Sequence, residues 1–199
     1  MAQKRVAAIH DISCLGRCSL TVALPIISAA GVETAVIPTA VLSTHTGGFK
    51  DYTVRDLSSD IVPTARHWKS EGITVDAVYT GYLCSKEQIY LVMEAARLIS
   101  GSNTLLITDP VMADNGRLYK GFDGDYADYM LKLCSAADII TPNITEAALM
   151  NGRSLKAAAQ IAVNFTAACI KKTMEEDTDP RLGVNFESQI PNLIKYLQL

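Results

Sequence analysis

Two short stretches of the chain carry residue types that can do chemistry. One is Ile107-Thr108-Asp109-Pro110-Val111-Met112, and the other is Ile140-Thr141-Pro142-Asn143-Ile144-Thr145-Glu146. Each is an apolar run that stops abruptly at polar residues and a proline. Read as buried strands, Leu105 to Ile107 would deliver Asp109 at its carboxyl end, and Ile139-Ile140 would deliver Thr141, Asn143 and Glu146. Two carboxylates on one rim of a sheet suit a hydrated divalent metal, and Mg²⁺ with phosphate is the commonest reason to collect them.

The elements that must position these groups follow from the spacing of apolar residues. Val6 to Ile9, Glu33 to Leu42, Val75 to Tyr79, Leu105 to Asp109 and Ala137 to Ile140 read as strands. Between them lie helical patterns. Leu20, Ala23, Leu24 and Ile27 recur at helical spacing, with Pro25 as a kink and Gly31 as a stop. Leu57 to Ser70 is a weaker helix, interrupted by Pro63. Ser85 with Gln88 forms a capping-box pattern, Ile89, Val92, Met93, Ala96 and Ile99 share one face, and Gly101 closes that helix. Asp114-Asn115-Gly116 reads as a turn, Leu118 to Asp123 as a hairpin or flap, and Tyr126 to Cys134 as a helix. Thr145 to Met150 starts another helix.

This strand-helix alternation argues for a parallel sheet covered on both faces, whose ligands sit beyond the carboxyl ends of the strands. Ser13, Thr46, Tyr82, Asp109, Thr141 and Asn143 all follow apolar strands and none precedes one. After Met150 the pattern changes. A long helix through Ala157, Ile161, Phe165 and Cys169 is expected to end at Lys171-Lys172, followed by an acidic loop over 175–179. A last amphipathic helix over 186–197 has Ile190, Leu193, Ile194 and Leu197 on its inner face, and no strand is expected beyond residue 150.

Composition bounds the class. The 199 residues suffice for one domain with a sizeable core, and 49% apolar residues exclude general disorder. A formal charge of −3 leaves no basic footprint for nucleic acid. No apolar run reaches the length of a membrane span, and Lys4-Arg5 lead directly into a strand, so no signal peptide is expected and cytoplasm is the default. Cys14 and Cys18 stand four apart without a second cysteine pair, which argues against structural zinc and for reduced thiols. His10, His45 and His67 read as structural.

The segments Ile9 to Ser13, Leu42 to Phe49, Thr80-Gly81-Tyr82, Thr108 to Met112 and Thr141 to Glu146 together resemble the pyridoxal kinases of the ribokinase-like superfamily. Gly183-Val184-Asn185-Phe186-Glu187 resembles the end of such kinases. Asp-Pro-Val-Met followed by Pro-Asn-x-x-Glu is specific in combination, and the match covers residues 1–149 in order. The resemblance implies a three-layer α/β/α fold with a mostly parallel sheet, incomplete after residue 150. It implies ATP-dependent phosphorylation of the 5′-hydroxymethyl group of pyridoxal, pyridoxine or pyridoxamine with Mg²⁺, leaves a K⁺ requirement open, and implies a homodimer. It places Ser13 at the polar edge of the pyridine ring, Thr46 and Gly47 in the vitamin pocket, and Tyr82 against the ring. Asp109 and Glu146 would face metal and phosphates, the latter through water. Thr141 and Asn143 would help place nucleotide and ion, and 113–122 would be a flap over the phosphates.

One departure from the family bears on activity. These kinases carry a Gly-Thr-Gly-Asp motif whose amides hold the transferred phosphoryl group and whose Asp is the base. No Gly-x-Gly-Asp occurs in the chain; Gly121-Phe122-Asp123-Gly124-Asp125 is the nearest string. The catalytic base is therefore missing, together with later strands and the adenine loop. The expectation is a single domain over 1–199 with a sequence discontinuity near 147–153. Either the residues are deleted in this protein, or the sequence skips a segment the natural chain has; the second is preferred, because a deletion would strip core strands and expose apolar surface. Two other readings stand beside the B6 kinase. One is a hydroxymethylpyrimidine kinase of thiamine synthesis, and the other is an inactive remnant that binds pyridoxal species.

Overall fold

The structure, a computed structural model, describes residues 3–46, 49–150, 155–176, 187–189, 191, 192 and 195. In chain order the elements are β1 (Arg5–Ser13), α1 (Leu20–Ala29), β2 (Glu33–Leu42), β3 (Val54–Asp56), α2 (Ser58–Ser70), β4 (Val75–Thr80), α3 (Lys86–Ile99) and β5 (Ser100–Thr108). There follow β6 (Ala113–Asp114), β7 (Arg117–Leu118), α4 (Gly124–Ser135), β8 (Ile139–Ile140), α5 (Ile144–Met150), α6 (Leu155–Glu175) and a 3₁₀ turn at Glu187–Gln189. They form two compact units, Met1–Val111 with Gly124–Thr141, and Met112–Asp123 with Pro142–Leu199.

The first unit holds a six-stranded sheet in the order β3-β2-β1-β4-β5-β8. All pairings are parallel except that of β3 with β2. β1 lies at the centre, and Ala7, Ala8 and Ile9 are fully buried, as a strand covered on both faces requires. From β1 the chain steps outward to β2, then returns past β1 to β4. The carboxyl ends of β1 and β4 therefore flank a topological switch point, the place where α/β sheets open a crevice for ligands.

Right-handed crossovers decide which face each helix covers. The step from β1 to β2 runs one way along the sheet, while those from β2 to β4, β4 to β5 and β5 to β8 run the other way. This puts α1 on one face and α2, α3 and α4 on the opposite one. Register sets Ala77, Tyr79, Leu105, Ile107 and Ile139 on the α1 face. Within the described residues of this unit no second helix covers their half of that face, and Leu105 and Ile139 are each 46% exposed. The expectation that 105–107 and 139–140 form buried strands is thus corrected. An apolar run reports strand character but not whether a neighbour covers it.

Other boundaries agree or shift for identifiable reasons. β2 has the expected bounds. β1 runs on to Ser13, so His10 and Asp11 lie inside the strand, and the β1/β2 register shifts between His10 and Ile12. β3 was not foreseen, since all three of its residues are exposed at a sheet edge. The Ser85 hydroxyl caps α3 by accepting the Gln88 N–H at 3.2 Å. The Gln88 side chain does not complete a capping box on Ser85. It accepts the Cys84 N–H at 2.9 Å and donates towards the Thr39 carbonyl (2.9 Å) and Asp56 Oδ1 (3.0 Å), tying α3 to β2 and β3. Gly101 lies in β5, which begins directly after α3.

In the second unit, β6 and β7 form a two-residue hairpin whose loop is Asn115-Gly116, with φ of 48° and 71°. Paired positive φ at Asn-Gly is the signature of a type I′ turn. The hairpin therefore sits at 113–118, ahead of the expected 118–123. α6 continues past Lys171-Lys172 to Glu175, carried by i,i+4 pairs of Lys171 with Glu175 (3.8 Å) and Lys172 with Glu176 (2.8 Å). Most of the acidic loop and the inner face of the last helix, Ile190, Leu193, Ile194 and Leu197, lie outside the described residues. No helix among the described residues is long and apolar enough to cross a membrane.

Candidate active site

At the switch point a cavity of about 420 Å³ opens between α1 and the sheet. His10 from β1, Tyr79 from β4, Gly81 and Tyr82 just beyond it, and Asp109 and Val111 just beyond β5 line one side. Val22, Ala23, Ile26 and Ile27 of α1 line the other. The floor is packed tightly. A Cβ built on Gly81 would run into the His10 imidazole, so this position takes only glycine while His10 is present. His10 stacks edge-on against Tyr79, with ring centroids 4.5 Å apart. Burial pushes its pKa down to about 4, against a hydrogen bond to the Tyr79 backbone, so the ring is neutral near pH 7. Its Nε2 is buried without a partner.

Two expected site residues meet in this cavity. Tyr82 is half-buried, and its hydroxyl is pushed up to about 12, mainly by desolvation and further by Cys84, Tyr52 and Asp11. Asp109 follows β5 directly. Its backbone N–H donates to the Thr80 carbonyl at 2.9 Å, which fixes the turn off the sheet. Its carboxylate helps raise the pKa of Tyr79, after desolvation. Thr141 leaves the sheet on the neighbouring strand, with its N–H donating to the Thr108 carbonyl at 3.0 Å. Asp109 and Thr141 thus share the rim at β5 and β8.

Ser13 ends β1 and is buried, and its hydroxyl donates to Asp11 Oδ2 at 3.0 Å. Thr46 is half-buried beyond β2, and Gly47 lies outside the described residues. His45 in the same loop packs edge-on against Phe49 and covers Gly16, where an added Cβ would lie 2.9 Å from the His45 ring. Asp11 was not among the expected site residues. It is 2% exposed, and its Oδ1 has no hydrogen-bond partner. Its signal in the sequence was an acid inside an apolar strand, which reads more naturally as the strand's end.

Asn143 and Glu146 belong to the second unit and form a reciprocal cap on α5. Asn143 Oδ1 accepts the Glu146 N–H at 3.0 Å, while Glu146 Oε2 accepts the Asn143 N–H at 3.0 Å. Glu146 Oε1 also accepts the N–H groups of Met112 (2.9 Å) and Ala113 (3.3 Å). Asn143 Nδ2 donates to the Ala113 carbonyl at 2.7 Å, and Thr145 Oγ1 accepts the Gly116 N–H at 3.1 Å. The 143–146 turn therefore holds the 112–116 hairpin. Burial, with a smaller push from Asp114, raises the Glu146 pKa against the three N–H bonds that lower it.

The phosphomethylpyrimidine kinase family model matches residues 23–176. Among solved structures, a Bacteroides thetaiotaomicron protein assigned to the phosphomethylpyrimidine kinases and crystallised with pyridoxal is 40% identical. The match covers 78% of this chain and 54% of that one, with a TM-score of 0.74. Pyridoxal kinase from Lactobacillus plantarum is 34% identical over 81% of this chain and 60% of its own, with a TM-score of 0.70. Pig pyridoxal kinase is 32% identical over 137 residues, 63% of this chain and 41% of its own length. The chain thus spans about half the length of the relatives it matches.

Proposed function

Because the chain belongs to the phosphomethylpyrimidine kinase family, whose model covers most of it, we propose that it carries the ring-and-phosphate side of a vitamin B6 kinase. The reaction is transfer of the ATP γ-phosphoryl group to the 5′-hydroxymethyl group of pyridoxal, pyridoxine or pyridoxamine. The observation that carries this reading is the cavity at the switch point, where Tyr82 and Asp109 share one wall. An aromatic face for a heteroaromatic ring thus lies beside a carboxylate suited to the phosphate end. The Bacteroides relative crystallised with pyridoxal supports the substrate class. Ser13, Thr46, Gly47 and Tyr82 are the proposed ring contacts, and Asp109, Thr141, Asn143 and Glu146 the proposed nucleotide side.

The donor set fits Mg²⁺ in one form only. Among the described residues no group of three or more His, Cys, Asp or Glu side chains could cage a metal. Mg²⁺ keeps several waters and needs one or two carboxylates plus substrate phosphates. Asp109 at the rim suits that role. Both Glu146 oxygens already accept backbone N–H groups, so any contribution from it runs through water. Bound there, the ion would neutralise phosphate charge. The chain's residues orient ring and phosphates, which is most of what phosphoryl transfer asks of a protein.

The Asp that would take the hydroxyl proton is not in the sequence. We read 1–199 as a single ribokinase-like domain with a discontinuity near 147–153. The half-exposed Leu105, Ile139 and Ile140 support this reading, since such an edge needs further chain to cover it. A cytoplasmic homodimer is proposed on the resemblance alone. The family description, and a Rhizobium meliloti relative described as a hydroxymethylpyrimidine/phosphomethylpyrimidine kinase, support hydroxymethylpyrimidine as the alternative substrate.

The test is phosphate transfer from ATP, with pyridoxal, pyridoxine and hydroxymethylpyrimidine offered in parallel to the 199-residue chain, alongside equilibrium binding of each. Binding of B6 vitamers without turnover is expected. Binding of hydroxymethylpyrimidine alone overturns the substrate assignment.

A further inference from the structure

The sequence holds two Asn-Gly pairs, Asn115-Gly116 and Asn151-Gly152, and the second lies outside the described residues. Asn-Gly is the pair most open to one spontaneous reaction, because glycine brings no side chain to keep its backbone nitrogen off the neighbouring amide. Once it has lost its proton, that nitrogen attacks Asn Cγ. The new C–N bond closes a succinimide ring, the Cγ–Nδ2 bond breaks, and ammonia leaves. Water then adds to either ring carbonyl and opens the ring to aspartate or isoaspartate.

Asn115-Gly116 is the tip of the β6–β7 hairpin, and Asn115 is exposed. The structure holds this pair back from the reaction in three ways. Positive φ at both residues, 48° and 71°, keeps them in a type I′ turn, where the Gly116 nitrogen lies on the far side of the Asn115 Cα–C bond from the side chain. Asn115 Nδ2 donates to Asp114 Oδ2 at 3.2 Å, and the Asn115 N–H donates to Asp114 Oδ1 at 2.7 Å, which turns the amide back towards Asp114. The Gly116 N–H, whose proton must leave, donates to Thr145 Oγ1 at 3.1 Å. Thr145 is 2% exposed within α5, so packing fixes this acceptor in place.

We infer that Asn115 is a modification site, set to deamidate through Gly116, and that the Thr145 hydroxyl is the guard that suppresses it. The product matters to the fold. Isoaspartate adds a backbone carbon to a loop built for two residues, so the pairing of Ala113 with Leu118 and of Asp114 with Arg117 is lost. Either product also sets a second carboxylate beside Asp114. The reaction needs only water and is independent of what the chain phosphorylates.

The test is mass spectrometry of the 199-residue chain aged in mildly alkaline buffer, with fragment ions that separate Asn115 from Asn151, beside a free peptide of residues 112–118. Asn115 in the folded chain is expected to deamidate about tenfold or more slowly than in the peptide. Thr145→Val keeps the buried volume but removes the acceptor. It is expected to speed the reaction about fivefold, with amide exchange quickened at Gly116 but not at Met112 or Ala113. Thr145→Ser restores the hydroxyl and is expected to restore the slow rate. The proposal is overturned if the wild-type chain ages as fast as the peptide, if Thr145→Val ages no faster than wild type, or if Thr145→Ser ages as fast as Thr145→Val. Should exchange in Thr145→Val quicken equally at Met112 and Ala113, which Glu146 holds, the whole unit has loosened and the guard role falls as well.

Discussion

Replacing Glu146 by Gln should destabilise the second unit with no metal present. The carboxylate is 1% exposed and accepts three backbone N–H groups, from Met112, Ala113 and Asn143. A glutamine oxygen can keep the first two, but its amide nitrogen then meets the Asn143 N–H, donor against donor. Losing one hydrogen bond to a charged acceptor costs ~1.5–3 kcal/mol, and a stranded buried N–H adds ~1–3 kcal/mol. Removing a buried charge offsets part of this. The raised pKa of Glu146 shows that its desolvation is substantial. A net loss of ~2 kcal/mol follows. Urea unfolding in the presence of a chelator should show a midpoint lower by about 1 M at an ordinary slope. Amide exchange at Met112, Ala113 and Asn143 should quicken by about thirtyfold. If Glu146→Gln is neutral in chelator and weakens only Mg²⁺-dependent nucleotide binding, the structural role assigned to this carboxylate is wrong.

Further outcomes follow from the cavity floor. His10 is held near a pKa of about 4, below its ordinary 6.5. Above 6.5 neither folded nor unfolded chain binds the proton. As pH falls the unfolded chain takes it first, so stability is lost between about 6.5 and 4, by ~3 kcal/mol in total at the lower end. His10→Gln should flatten that decline in urea midpoints measured between pH 7.5 and 4.5; an unchanged slope would contradict the burial argument. Gly81→Ala should cost ~2 kcal/mol or more through its clash with the His10 ring. His10→Ala in the same chain should recover part of that loss, and strict additivity in thermal melts would show that the two positions do not touch.

Much of this was legible in the sequence where local chemistry decides the outcome. β2 kept its expected bounds because a β-branched run between polar ends leaves few alternatives, and Ser85 announced the start of α3. The rim was legible too, because Asp109 and Thr141 follow apolar strands in a parallel sheet. Non-local facts were not. Three exposed residues gave no sign of β3, since a sheet edge asks little of side chains. Leu105 and Ile139 carried an apolar pattern but no information on whether a neighbour lies over them. Asn143 and Glu146 show a subtler miss. Their spacing of three is the capping signature that Ser85 and Gln88 also show, where only the Ser85 half of the box forms, while Asp109 and Glu146 near prolines point to metal binding. Asp11 stands in the sequence as an acid after an apolar run, which reads as the strand's end; its burial inside β1 shows only in the structure.

The most direct measurement is phosphoryl transfer from ATP to pyridoxal by the 199-residue polypeptide, read as pyridoxal 5′-phosphate formed, with vitamer binding measured on the same preparation. The account predicts binding without appreciable product, and product once a segment bearing Gly-Thr-Gly-Asp is restored near 147–153. Robust turnover by the 199-residue chain alone would contradict it, since the base would then have to come from residues already present.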